Sequence, residues 1–97
     1  MVINIETVLK VYASLLDGRL SYSDADRWAF ELIQLNDDKR LEFEPRQEEK
    51  LLWELIIYLA GIDMPSVKDR SKTMIGKDDI IDFLKKKGVY GFINKSE

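Results

Sequence analysis

Residues 51–60 read Leu-Leu-Trp-Glu-Leu-Ile-Ile-Tyr-Leu-Ala and are apolar on nearly every side of a helix. A helix that is apolar all round must be covered by other elements on several faces. Pro45 suits the first position of such a helix, because its missing N–H has no helical partner there. We therefore predict a central helix over residues 45–60, with Glu54 and Tyr58 on its only wet edge. Its core residues are Leu52, Leu55, Ile56 and Leu59.

Three further segments have apolar residues at spacings of three and four, which is the pattern of an amphipathic helix. They span residues 4–17, 23–36 and 77–87. No segment alternates convincingly as a strand would. Because 97 residues is close to the common size of one domain, we predict a single all-α domain over 1–97, a compact bundle of four to five helices. The residues expected around the central helix are Val8, Leu9, Tyr12, Trp28, Leu32 and Ile80.

The ends of the helices carry capping residues. Asn4 and Ser23 can each accept a hydrogen bond from the first turn of the helix that follows. Gly18 and Gly88 can end the preceding helices in the left-handed conformation. These residues define where the predicted helices begin and end.

The connecting segments give weaker patterns. Leu41 and Phe43 are expected to pin a charged linker to the core. Residues 66–74 allow one short helix after Pro65. The tail 89–93 is apolar enough that we expect it to fold back on the bundle.

The sequence contains no cysteine and no histidine. Disulfides, thiolate nucleophiles and thiolate zinc sites are therefore excluded, and so are Ser-His-Asp catalysis and histidine-ligated metals. No pair of the remaining carboxylates, lysines and tyrosines has a spacing that commits it to acid/base chemistry. We expect a protein without catalytic activity, metal or cofactor.

The motif Asp78-Asp79-Ile80-Ile81-Asp82 matches the DDxxD string of helical isoprenoid synthases. A chain of this length cannot build their large barrel, and acidic residues are favoured at the start of a helix for electrostatic reasons. The N-terminus shows no basic leader with an apolar stretch, and no apolar run approaches the ~18 residues of a membrane span. A cytoplasmic protein is expected.

Charge is distributed unevenly along the chain. Residues 24–63 contain 11 acids and 5 bases, a net charge of -6, whereas residues 64–97 contain 5 acids and 8 bases, a net charge of +3. The acidic block can serve solubility alone, or it can attract a basic partner. Phe30, flanked by polar residues, is the expected apolar anchor of such an interface. The expected acidic positions are Asp24, Asp26, Glu31, Asp37, Asp38, Glu42 and Glu44.

The segment Val8-Leu9-Lys10-Val11-Tyr12-Ala13-Ser14-Leu15-Leu16-Asp17-Gly18-Arg19-Leu20, followed by the acidic helix with Trp28, resembles the first hairpin of small bacterial immunity proteins. The resemblance is to the colicin D immunity type and covers the first third of the chain, together with its size and charge. Those proteins are acidic helical bundles that occupy the active site of a basic tRNA-cleaving toxin. The resemblance implies a non-enzymatic inhibitor that neutralises a basic partner, a nuclease toxin domain. It carries over no individual family residue.

Two alternatives remain open at this point. A small adaptor or subunit could bind another protein through the long polar segment after Gly61, where the candidate residues are Asp63, Asp69 and Arg70. Nucleic acid could bind the basic last third, in which residues 85–87 and two aromatics alternate cations with rings. A sequence pI near 5.0 argues against the nucleic-acid alternative.

Overall fold

Each of the four long helices predicted from the sequence is present in a computed structural model, which describes residues 1–64 and 75–94. The all-α fold class is confirmed, and a small two-stranded sheet is added to it. The predicted short helix over 66–74 lies outside the described residues. The elements are β1 (Val2–Asn4), α1 (Ile5–Leu16), α2 (Tyr22–Asp37), β2 (Glu42–Glu44), a 3-10 turn (Arg46–Glu48), α3 (Glu49–Leu59), α4 (Lys77–Lys86) and α5 (Tyr90–Asn94).

Helix α1 begins and ends as its sequence predicts. The side-chain oxygen of Asn4 accepts a hydrogen bond from the backbone N–H of Thr7 at 2.9 Å. After the helix, Gly18 takes a φ of +78°, in the left-handed region that favours glycine. The chain can therefore reverse towards α2 within a few residues.

Helix α2 begins earlier than expected, and its cap is Ser21 rather than Ser23. Ser21 has an extended backbone with ψ of 157°, and its hydroxyl accepts a hydrogen bond from the N–H of Asp24 at 3.1 Å. Ser23 already lies in the first turn, where its own N–H needs a partner. Both serines precede the same apolar stripe, so spacing alone could not choose between them.

The prediction that Pro45 opens the central helix is wrong. Pro45 has a ψ of 157°, and the peptide bond from Glu44 is cis. The chain leaves β2 in an extended conformation, passes through the tight 3-10 turn, and enters α3 only at Glu49. The extended backbone of β2 therefore continues through the proline and delays the helix by one turn.

Strands β1 and β2 form a parallel pair in which Ile3 lies opposite Phe43. Both of these side chains are buried, whereas their neighbours along each strand are exposed. The prediction that Leu41 and Phe43 pin the linker to the core is confirmed. Three residues are too few for a period-two pattern to be recognised, which is why the sequence did not indicate these strands.

The core centres on α3, as predicted. Leu52, Leu55, Ile56 and Leu59 are fully buried, and the residues expected around them are buried as well, except for Trp28, which is half-buried against the core. The buried hydroxyl of Tyr12 donates a hydrogen bond to the backbone carbonyl of Leu55 at 2.6 Å. Helices α1 and α3 are thus joined by a polar contact inside an apolar core.

The predicted wet edge of α3 is only half-exposed, and it is not the only exposed side of the helix. The ring of Tyr58 stacks on Phe83 with their centroids 3.8 Å apart, and Glu54 forms an ion pair with Lys87. The region of α4 therefore covers part of the side of α3 that was expected to face water, and the Glu54 side chain stays 35% exposed. The large apolar side chain that α3 leaves exposed is Ile57, at 44%.

The prediction that the tail folds back is confirmed. Gly88, with a φ of +74°, ends the α4 region, and Val89 and Ile93 are both buried. Helix α5 contacts α1 and α4. Within residues 1–64 and 75–94, no helix has both the length and the apolar character that a membrane crossing requires.

Candidate functional site

Helices α2 and α3 pack side by side and run antiparallel. Near the start of α2, the carboxylate of Asp26 accepts a hydrogen bond from the N–H of Gly61, just after α3, at 2.5 Å. Near the end of α2, Asn36 and Trp53 line the same small cavity of about 290 Å³ beside the start of α3. The hydrogen bond at one end and the shared cavity at the other indicate which residues of the two helices lie at the same level.

Phe30 and Ile57 lie at the same level along this seam. Phe30 follows Asp26 by four residues on the same face of α2, and Ile57 follows Trp53 by four on the same face of α3. Asp26 contacts the residue region after α3, and Trp53 lines a cavity together with Asn36 of α2, so we place these faces beside the seam. Phe30 is 51% exposed and Ile57 44% exposed. We call these two side chains the seam patch.

Acidic residues lie along the whole exposed length of α2. Glu31, Asp37 and Asp38 are exposed, and Asp24 is exposed near the start of the helix. Asp24 and Asp37 are thirteen residues apart, which is roughly 20 Å along a helix axis. That separation exceeds two screening lengths of ~8 Å at physiological salt. The carboxylates therefore form a line along α2 rather than one cluster, with Asp24, Glu31 and Asp38 at spacings of seven on one side and Asp37 turned about 100° from it.

Glu42 and Glu44 lie at the same end of the molecule as the C-terminus of α2. They flank Phe43, whose ring meets Trp53 edge-on with centroids 6.3 Å apart. Both glutamates are exposed. Bases are interleaved with the acids at this end, so that residues 36–50 contain six acids and four bases, a net charge of -2. The bases are Lys39, Arg40, Arg46 and Lys50.

Asp26 has a contact within the fold that sequence reasoning did not foresee. Its side chain is half-buried, and its hydrogen bond to the Gly61 N–H connects α2 to the end of α3. The carboxylate therefore contributes to helix packing, in contrast to the exposed acids of α2.

The residues of the adaptor alternative are only partly described. Asp63 is half-buried in the turn after α3. Asp69 and Arg70 lie outside the described residues. The structure thus places one end of this candidate site beside the Asp26 to Gly61 contact.

At the end of α2, two carboxylates lie next to the negative end of the helix dipole. Asp37 is the last helical residue and Asp38 is the C-cap, and the last turn of the helix contains no basic residue. The C-terminus of a helix carries the negative end of its dipole, so carboxylates are unfavourable there. Residues 22–38 contain five acids and one base, a net charge of -4. The single base is Arg27, whose guanidinium nitrogen lies 3.9 Å from a carboxylate oxygen of Asp24 near the start of α2.

The cations of the last third are partly engaged with aromatic rings. The ammonium of Lys85 lies 5.5 Å from the centroid of Tyr90, and that of Lys87 lies 5.7 Å from the centroid of Phe83. The Lys87 ammonium also donates a hydrogen bond to the Glu54 carboxylate, which lowers the pKa of that carboxyl. These contacts give the lysines a role in joining α3, α4 and α5.

Ile57 is the site residue that sequence reasoning missed. Its segment is apolar on nearly every side, so the sequence indicates burial for all of its apolar residues. Phe30 differs, because polar neighbours on its own helix face indicate exposure. In the part of the chain that the structure describes, no group of three or more acidic side chains gathers as a metal site would require.

Comparisons with models of known protein families, with curated proteins and with solved structures found no match to this chain. A function for the chain must therefore be inferred from the geometry and charge of the molecule itself.

Proposed function

We propose that this protein is a non-enzymatic binding protein, an immunity-type inhibitor that neutralises a basic bacterial toxin domain. The observation that supports this proposal best is the seam patch, two large apolar side chains exposed on α2 and α3, in a molecule whose residues 22–38 contain five acids and one base. Both the apolar anchor and the carboxylates are needed. The anchor slows dissociation of the complex, and the carboxylates speed its association.

The seam patch supplies the part that holds a complex together. Phe30 and Ile57 are already about half covered, so burying the rest of each side chain contributes about half of the 1.5–3 kcal/mol that full burial gives. Interface energy is concentrated in a few such desolvated anchors near the centre of the contact. Phe30 and Ile57 are held on the regular backbone of α2 and α3, so little backbone entropy is lost when they are covered.

The acidic line supplies the part that selects the partner. Five acids against one base over residues 22–38 attract a positively charged surface and accelerate its encounter. Asp37 and Asp38 lie at the negative end of the α2 dipole without a basic residue in the last turn. Such an arrangement costs helix stability, and residues that break a local stability rule often serve function instead.

The test is a growth-protection assay in the source bacterium or a close host. The reading frames beside the gene are expressed together with this protein, and survival is measured against expression without it. Phe30→Asp should abolish protection, because it places a charge where the apolar anchor must be desolvated. Phe92→Asp is the matched control, since Phe92 is also an exposed ring but lies on α5.

The control should protect as well as the wild type. Protection by Phe30→Asp equal to that of the wild type would contradict the proposed surface. Capture of a partner through the seam patch without any inhibition would favour the adaptor alternative instead.

A further inference from the structure

We draw no further inference here: the strongest candidate, the apolar groove of about 650 Å³ between α1, α5 and the beginning of α3 with the exposed Phe92 at its wall, is lined by Glu6, Lys10 and Glu48 together, and nothing in the described residues shows what covers it.

Discussion

At the scale of single residues, Tyr12 is the clearest case of a polar group placed inside the core. Its side chain is fully buried, and its hydroxyl donates to the Leu55 carbonyl. Burial raises the pKa of this phenol far above its ordinary value of 10.0, because the phenolate would lose its hydration, and the nearby Tyr58 adds to the effect. The folded protein therefore requires a neutral Tyr12.

This requirement predicts a loss of stability in alkaline solution. Above pH 10 the unfolded chain releases the Tyr12 proton and the folded chain keeps it, so the free energy of unfolding falls as pH rises. One such group contributes a slope that approaches about 1.4 kcal/mol per pH unit. Tyr12→Phe should make the slope shallower in urea denaturation measured on either side of pH 10. The slope should not vanish, because burial also raises the pKa of Tyr22 and Tyr58.

The free energy of unfolding of Tyr12→Phe at neutral pH separates the hydrogen bond from the effect of ionisation. At that pH the substitution should lower the free energy of unfolding by about 1 kcal/mol, the net contribution of a typical hydrogen bond. An alkaline slope identical in wild type and variant would show that Tyr12 ionises without unfolding the protein.

At the scale of elements, the contact between Asp26 and Gly61 determines how α2 is seated on α3. The carboxylate accepts from a backbone N–H at 2.5 Å, and removing it would leave that donor without this partner. Asp26→Ala should lower the free energy of unfolding by about 1–3 kcal/mol. Asp26→Asn keeps an acceptor oxygen and should cost less than Asp26→Ala. Chemical denaturation of both variants measures the difference, and equal losses would mean that the hydrogen bond does not matter.

The sequence predicts the helices well because each has a periodic stripe and local capping residues. The predicted starts of α2 and α3 were wrong because two residues or two conformations fit the local sequence about equally well. Ser21 and Ser23 are both able to cap α2, and Pro45 fits both a helix start and an extended segment. The parallel pairing of Ile3 with Phe43 depends on residues forty positions apart, and no local pattern indicates it.

The candidate surface was only partly predictable for the same reason. The exposure of Phe30 follows from the polar residues on its own face of α2. Ile57 belongs to a helix that is apolar all round, so which of its sides stays open is decided by where α4 packs. The role of Asp26 depends on the end of α3, and the groove beside Phe92 depends on how α5 returns to α1.

At the scale of the whole molecule, the seam patch and the apolar groove beside Phe92 lie mainly on different helices and share only α3. The seam patch and the acidic line belong to α2 and α3, whereas the apolar groove belongs mainly to α1 and α5. Variants at Phe30 and Phe92 can accordingly be used to test each surface without changing the other.

The central claim, that the acidic line and the seam patch together bind a basic partner, is tested most directly by binding kinetics. The partner used is the toxin-like protein identified in the growth-protection assay. Asp37→Asn/Asp38→Asn should slow association several-fold at low salt, with a smaller effect at high salt. The same change should leave thermal stability equal or slightly higher, because the carboxylates oppose the α2 dipole. Phe30→Ala should instead raise the dissociation rate about tenfold or more. Association and dissociation rates that stay at wild-type values in both variants would contradict the claim.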